Sequence, residues 1–307
     1  MAVASDDPDA AGPTTSLITA PTTAPTTAPT LAADAAHVER LGIVSYTNVA
    51  PLHWRLRPWN DHGQVARFVT GVPSELNRAL LAGEIDLTLI SSIEYLRHAD
   101  RLRALPDFSV ATLGPVRSVA LFHHGAWSDL HGARVAVSTD SATSVELLRV
   151  LLHADGIVAD LIPVAPDLDA MLARYDAALL IGDAALREGV ARRPVGGRVP
   201  TMTDLGEAWY RATRLPFTFA VWASRDDAPP SPRLVAELRA SRERGLGHLA
   251  AVAEAASERV GVAPRTMLAY LSAFRYRLEP PDRDGLLAFG ERAVPGFRAD
   301  ALRYWDL

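Results

Sequence analysis

Short apolar strands alternate with amphipathic helices from residue 38 onward, and the series starts again near Trp127. Residues 41–46 and 66–70 are predicted strands. The second leads into a helix that opens at Gly71-Val72-Pro73-Ser74 and ends at Gly83. Residues 85–90 form a continuous apolar strand of the kind a parallel sheet buries on both faces. The second series has a strand at 134–137, a helix at 141–152, a strand at 161–164, a helix at 168–175 and a strand at 176–181. A further strand spans 216–223, and the chain is mainly helical from 231. Alternation of this kind builds α/β layers. The restart and the return predict two lobes, one of residues 38–124 plus 217–307 and the other of 125–216. The crossings are then expected at 122–127 and 214–219.

Residues 1–37 differ in kind. They are rich in Ala, Thr and Pro, and Ala-Pro-Thr-Thr occurs at 20–23 and again at 24–27. Such a segment buries too little apolar surface to offset its ordering entropy, so a disordered tail is expected. It has no basic start, no continuous apolar run and no lipid-anchor cysteine, which points to a cytoplasmic chain. No stretch of about 20 apolar residues is free of charges, so no membrane partner is expected. A net charge of −5 argues against a nucleic-acid partner.

The chain has no cysteine, and all 31 of its Lys and Arg residues are arginine. Disulfides, thiolate nucleophiles and cysteine-ligated metals are excluded, as are a phosphate-loop lysine and a lysine Schiff base. The nine histidines are scattered. His123 and His124 are neighbours on a strand and point to opposite faces, so they make a poor metal site. Gly245-Leu246-Gly247 with Ala250 matches a dinucleotide fingerprint by letters, but it lies inside a helical stretch rather than after a strand. No metal and no cofactor are expected.

What remains is a set of small polar residues at strand ends. Ser45 and Asn48 close the first strand, and Ser91 and Ser92 the third. Arg117 and Ser118 sit beside a break at Gly114-Pro115, and Ser141, Thr143 and Ser144 lie between a strand and a helix. In open α/β sheets ligands bind beyond the carboxyl ends of the strands, and helix N-termini attract anions. Two such units facing each other predict a cleft for a small carboxylate or dicarboxylate. Each residue also has a plainer reading. Asn48 suits a helix N-cap. Ser91 with Glu94, and Thr143 with Glu146, have capping-box spacing. Arg117 suits a solvated position, and Trp209, Phe217, Phe219 and Trp222 suit core packing. The convergence of several polar strand ends is what favours a site.

Ser45-Tyr46-Thr47-Asn48-Val49-Ala50-Pro51-Leu52 resembles the opening motif of the chorismate dehydratases of the futalosine route to menaquinone. Similar segments follow in the family's order: Gly71-Val72-Pro73-Ser74, Ser91-Ser92-Ile93-Glu94-Tyr95 and Gly114-Pro115-Val116-Arg117-Ser118-Val119. Ser141-Ala142-Thr143-Ser144, Ile181-Gly182-Asp183, Asp204-Leu205-Gly206 and the run 209–222 with Leu215-Pro216-Phe217 complete the set. The resemblance covers roughly residues 40–300. Thr47 departs from it, standing where an aliphatic residue is expected. The sister enzyme dihydroxynaphthoate synthase shares the fold but opens with a cysteine-containing motif that this chain lacks.

The resemblance implies a two-lobed α/β fold like the type II periplasmic binding proteins, with the ligand cleft between two α/β domains. It also implies a hydro-lyase that converts chorismate to 3-[(1-carboxyvinyl)oxy]benzoate and water. Asn48 and Ser118 are the catalytic candidates. Ser45, Ser91, Ser92, Arg117, Ser141, Thr143, Ser144 and Asp183 are the substrate-binding candidates. Neither Asn48 nor Ser118 titrates near pH 7. A base supplied by the substrate's own enolpyruvyl carboxylate accounts for that, with the protein acting by positioning and electrostatics. The rival expectation is a solute-binding protein for a small carboxylate, since one fold hosts many functions.

Overall fold

A computed structural model of the chain describes residues 38–57, 59–60, 63–64 and 66–306. The tail expected at 1–37 lies outside the described residues. The chain enters through β1 (Glu39–Val44), a 3-10 helix at Thr47–His53, a small hairpin of β2 (Trp59–Asn60) and β3 (Gly63–Gln64), and β4 (Ala66–Gly71). It continues with α1 (Pro73–Leu81), β5 (Leu87–Ser91), α2 (Ser92–Arg97), β6 (Leu102–Ala104) and β7 (Val110–Thr112). Next come β8 (Val119–His123), β9 (Arg134–Ser138), α3 (Ala142–Ala154), β10 (Asp160–Val164), α4 (Leu168–Leu172), β11 (Ala177–Ile181), α5 (Gly182–Ala191) and β12 (Thr201–Asp204). The return runs through α6 (Leu205–Thr213) to the long strand β13 (Phe217–Arg225). It closes with α7 (Pro232–Gly247), α8 (Leu249–Val260), α9 (Pro264–Leu271), β14 (Phe274–Arg275) and α10 (Pro280–Ala293).

The strands form two main sheets, one per lobe. The first has the order β14-β7-β13-β5-β1-β4 with β6 alongside β13, and the second has the order β10-β9-β11-β8-β12. β1 is parallel to both β4 and β5, and β9 is parallel to both β10 and β11. The central strands β5 and β11 are buried along their whole length; β11 is apolar throughout, whereas β5 also buries Thr88, whose hydroxyl donates to the Gly42 carbonyl, and Ser91, whose hydroxyl accepts from Asn77.

The strands that enter each sheet after a crossing run the other way. β8 is antiparallel to β11 with Val119 opposite Ile181, and β13 is antiparallel to β5 with Ala220 opposite Ser91. The carboxyl ends of the parallel strands face the cleft. A chain that arrives at cleft level must therefore run away from it, and both entering strands do.

Residues 119–123 were expected in the first lobe, but they pair in the second sheet. The change of sheet falls between Thr112 and Val119, ahead of the expected 122–127. The sequence break at Gly114-Pro115 is the crossing itself rather than an interruption within a strand. Gly114 and Arg117 turn the chain there with φ of +94° and +63°. The Asp204 carboxylate accepts from the amides of Val116 at 3.1 Å, Arg117 at 2.6 Å and Glu207 at 3.0 Å, which ties this crossing to the start of α6.

Gly245 sits inside α7 and lies against the 3-10 helix. A Cβ there would stand 1.9 Å from the Pro51 carbonyl oxygen, so only glycine fits. Gly245 thus serves the packing of α7 on the 3-10 helix, whereas Gly247 has open space around it.

Candidate functional site

A cavity of about 600 Å³, counting its open mouth, lies where the carboxyl ends of the two sheets meet. Asn48, Ser91, Ser118, Ser141, Thr143 and Ser144 give it polar groups. Tyr46, Val116, Ile181 and Phe219 give it apolar walls. No charged side chain is among the described residues that line it. The starts of α2, α3 and α5 all reach it, through Ser91, Ser141 to Ser144, and Gly182. Helix N-termini favour anions, and no arginine is among the described residues that line the cavity.

The opening segment is held from several sides. Asn48 lies inside the 3-10 helix rather than at its cap, which is Tyr46. The Tyr276 hydroxyl donates to the Asn48 backbone carbonyl at 2.8 Å. Asn48 lines the cavity, and its Oδ1 is buried with no hydrogen-bond partner among the described residues, which leaves that acceptor unspent.

On the opposite lobe, Ser141 caps α3 by accepting from the Ser144 amide at 3.1 Å and donates to Ser144 Oγ at 2.9 Å. The first amides of α3, those of Ala142 and Thr143, have no intrahelical partner, as at any helix start. Thr143 Oγ1 accepts from the Ile93 amide at 3.1 Å, which joins α3 to α2.

Contacts between the lobes flank the cavity. The Asp183 carboxylate accepts from the Thr47 amide at 3.0 Å and from the Thr47 hydroxyl at 2.9 Å. Arg259 of α8 stands 3.6 Å from the same carboxylate and donates to Thr47 Oγ1. The Tyr46 hydroxyl donates to Asp140 at 3.3 Å, and burial followed by that carboxylate raises the phenol's pKa. The Tyr46 ring rests on Gly182, where a Cβ would come within 2.9 Å of ring carbons and φ is +60°. Glycine is required at that helix start on both counts.

Six of the ten expected site residues line the cavity: Asn48, Ser91, Ser118, Ser141, Thr143 and Ser144. The other four are occupied elsewhere. Ser45 Oγ donates to the Gly71 carbonyl at 3.2 Å, and Ser92 Oγ to the Thr218 carbonyl at 2.6 Å. Arg117 is exposed on the crossing, and Asp183 holds Thr47. The two expected capping boxes are absent. Ser91 Oγ accepts from Asn77 at 2.8 Å, and Glu146 pairs with Arg97 and Arg149. Trp209, Phe217 and Trp222 are core residues, as their plainer reading had it, but Phe219 lines the cavity.

Sequence reasoning did not single out Tyr46, Gly182 or Tyr276 as parts of the site. Tyr46 and Gly182 lie inside quoted motifs, whereas Tyr276 follows β14 in a region expected only to be mainly helical. Neither histidine near the motifs reaches the cavity lining. His53 Nε2 is buried without a partner, its ring meets Trp222 edge-on, and desolvation lowers its pKa to about 4. His123 bonds to the Gly125 carbonyl and to Thr203 Oγ1 at the end of β8 remote from the cleft.

A sequence model described as menaquinone biosynthesis matches residues 39–295. A chorismate dehydratase from Thermus thermophilus is 48% identical over 261 residues, which cover 82% of this chain and 93% of that protein. A chorismate dehydratase from Campylobacter jejuni is 28% identical over 58% of this chain and 64% of its own. Among solved structures, a protein from Archaeoglobus fulgidus superposes with a TM-score of 0.66 at 19% identity, covering 84% of this chain and 97% of that one. The periplasmic aliphatic sulphonate binding protein SsuA from Escherichia coli superposes with a TM-score of 0.60 at 15% identity, covering 88% and 92%. These two structures share the fold.

Proposed function

The chain belongs to the menaquinone biosynthesis family, and from that membership we propose that it is a hydro-lyase that dehydrates chorismate to 3-[(1-carboxyvinyl)oxy]benzoate. The observation that carries this reading is its 48% identity to a chorismate dehydratase across 93% of that enzyme. The cavity agrees with the chemistry. Chorismate brings a ring carboxylate and an enolpyruvyl carboxylate, and the cavity meets them with helix starts, hydroxyls and an amide rather than with arginine. A cytoplasmic location goes with this proposal, supported by kinship to a biosynthetic enzyme.

In the reaction, the C3–H bond breaks, its electron pair forms the C3–C4 double bond, and the C4–O bond breaks with its electrons going to the departing hydroxyl. The proton and the hydroxyl leave as water, and the ring becomes aromatic. The amides at the start of α3 take one carboxylate. Asn48 acts on both sides of the reacting centre: its amide nitrogen donates to a carboxylate, and Oδ1 accepts from the C4 hydroxyl. Ser118 donates to a carboxylate. Held in this way, the enolpyruvyl carboxylate lies against the C3 proton and serves as the base. The lining offers no titratable carboxylate or imidazole to take that role. The protein's contribution is orientation and fixed dipoles.

Proton NMR of chorismate incubated with the purified chain tests the reading. The ring diene signals are expected to give way to those of a 1,3-substituted benzene, with the enolpyruvyl methylene retained. Chorismate that binds and is returned unchanged would instead favour a solute-binding protein.

A further inference from the structure

Asn77 is buried on α1 together with the apolar residues Leu76 and Leu80. An asparagine in such a place is costly unless its amide is hydrogen-bonded, and this one holds Ser91 at two points. Oδ1 accepts from the Ser91 backbone amide at 3.1 Å, and Nδ2 donates to Ser91 Oγ at 2.8 Å. The first bond fixes the second, because a backbone N–H can only donate and so selects the oxygen end of the side chain. Ser91 lines the cavity and is the N-cap residue of α2, yet its hydroxyl makes no capping bond.

We propose that Asn77 is a positioning residue that makes Ser91 a hydrogen-bond donor to the substrate, its hydroxyl proton directed into the cavity toward a carboxylate. The Ser91 oxygen accepts from an amide NH2, a group that donates and accepts nothing in return. The Ser91 proton is therefore left for another acceptor, and it forms no hydrogen bond among the described residues. A carboxylate takes such a proton in a charge-assisted bond. Asparagine suits this task and aspartate does not, because an ionised carboxylate at position 77 would accept the Ser91 proton itself. The use made of Ser91 rests on the chorismate reading, but the paired Asn77–Ser91 contact does not.

Steady-state kinetics with chorismate tests the role, at a temperature where each variant is folded. Asn77→Leu is similar in size and removes both polar atoms, so its melting temperature is expected to fall. A packing defect alone lowers kcat through the fraction of active enzyme and leaves KM unchanged, whereas loss of a bond to bound substrate raises KM. KM is expected to rise roughly 10-fold in Asn77→Leu and in Ser91→Ala, the worth of one hydrogen bond to a charged group. In a Ser91→Ala background Asn77→Leu is expected to raise KM no further. A KM within about 2-fold of wild type in either single variant, or effects that multiply, overturns the role.

A measurement on unaltered Asn77 decides the matter if Asn77→Leu does not fold. The chain has three asparagines and one glutamine, Asn48, Asn60, Asn77 and Gln64. Their side-chain amides are few enough in a nitrogen-labelled NMR spectrum for substitution of the other three to assign Asn77. The Asn77 signal is expected to shift on saturation with the dehydrated product, which keeps both carboxylates, because linked hydrogen bonds polarise one another. In Ser91→Ala that shift is expected to vanish. No shift in the unsubstituted chain, or one of equal size in Ser91→Ala, overturns the inference. A wild-type chain that neither binds nor converts chorismate refutes the chorismate reading and the substrate role with it. A wild-type chain that does both, while Asn77→Leu keeps its KM, refutes the role of Asn77 alone.

Discussion

Thr47 gives both its amide and its hydroxyl to the carboxylate of Asp183, at 3.0 and 2.9 Å, from one lobe to the other. This paired contact removes Asp183 from the cavity lining and makes it a clasp beside the cavity mouth. Asp183→Ala is therefore expected to raise KM for chorismate about 10-fold by favouring separated lobes, with kcat changed far less. Steady-state kinetics separates this from the role first expected of Asp183. A loss in kcat with KM intact would put the carboxylate at the reacting atoms.

Thr143 stands at the start of α3, where the helix amides meet the cavity. Thr143→Glu puts a bulky negative charge where the proposed function seats a substrate carboxylate, and it removes the oxygen that accepts from Ile93. Chorismate affinity by calorimetry is expected to fall by at least about 10-fold. Unchanged affinity would remove the α3 start from the site.

His53 is half-buried with its Nε2 fully enclosed, and desolvation lowers its pKa to about 4, so the folded chain holds it neutral. The unfolded chain binds this proton near pH 6.5 and the folded chain near pH 4, so protonation favours unfolding. The stability His53 confers is complete above pH 6.5 and falls as the pH drops toward 4, by up to about 3 kcal/mol. Denaturant titrations of wild type and His53→Leu should show a smaller loss for the variant over that window. His123→Ala should keep turnover, because neither imidazole lines the cavity.

Arg117 occupies the left-handed region at φ +63° and is exposed. Arg117→Gly is expected to leave KM within about 2-fold and to change stability by less than about 1 kcal/mol, since relieved strain and added chain entropy oppose each other. A large rise in KM would restore Arg117 as a ligand group.

The alternation of apolar strand and helix made the α/β layers legible, because β11 is buried and apolar along its whole length and β5 departs from that only at Thr88 and Ser91, whose hydroxyls are hydrogen-bonded. The first crossing was misplaced for a physical reason. Residues 110–124 contain two apolar runs, and nothing in hydrophobicity says that β7 and β8 belong to different sheets. That choice is made by backbone geometry at Gly114 and Arg117 and by the Asp204 carboxylate, which is distant in sequence. The polar strand ends pointed to the cavity, since Asn48, Ser118 and the α3 start follow from strand order. Hydroxyl direction was not legible: Ser91 lines the cavity and adjacent Ser92 turns to the Thr218 carbonyl. Tyr276 follows β14 in a stretch expected to be helical, where a buried tyrosine that supports a site has the same sequence pattern as one that only packs.

The direct test of the account is the mass of the product when chorismate is incubated with the purified wild-type chain and, in parallel, with Asn48→Asp. Asp keeps the side chain's size but removes the amide donor and puts a carboxylate beside an anionic ligand. The account predicts that wild type yields a product lighter than chorismate by one water. Asn48→Asp, still folded, should form that product at least about 100-fold more slowly. Chorismate recovered intact from the wild-type reaction, or equal rates from the two proteins, would contradict the claim that this cavity dehydrates chorismate through Asn48.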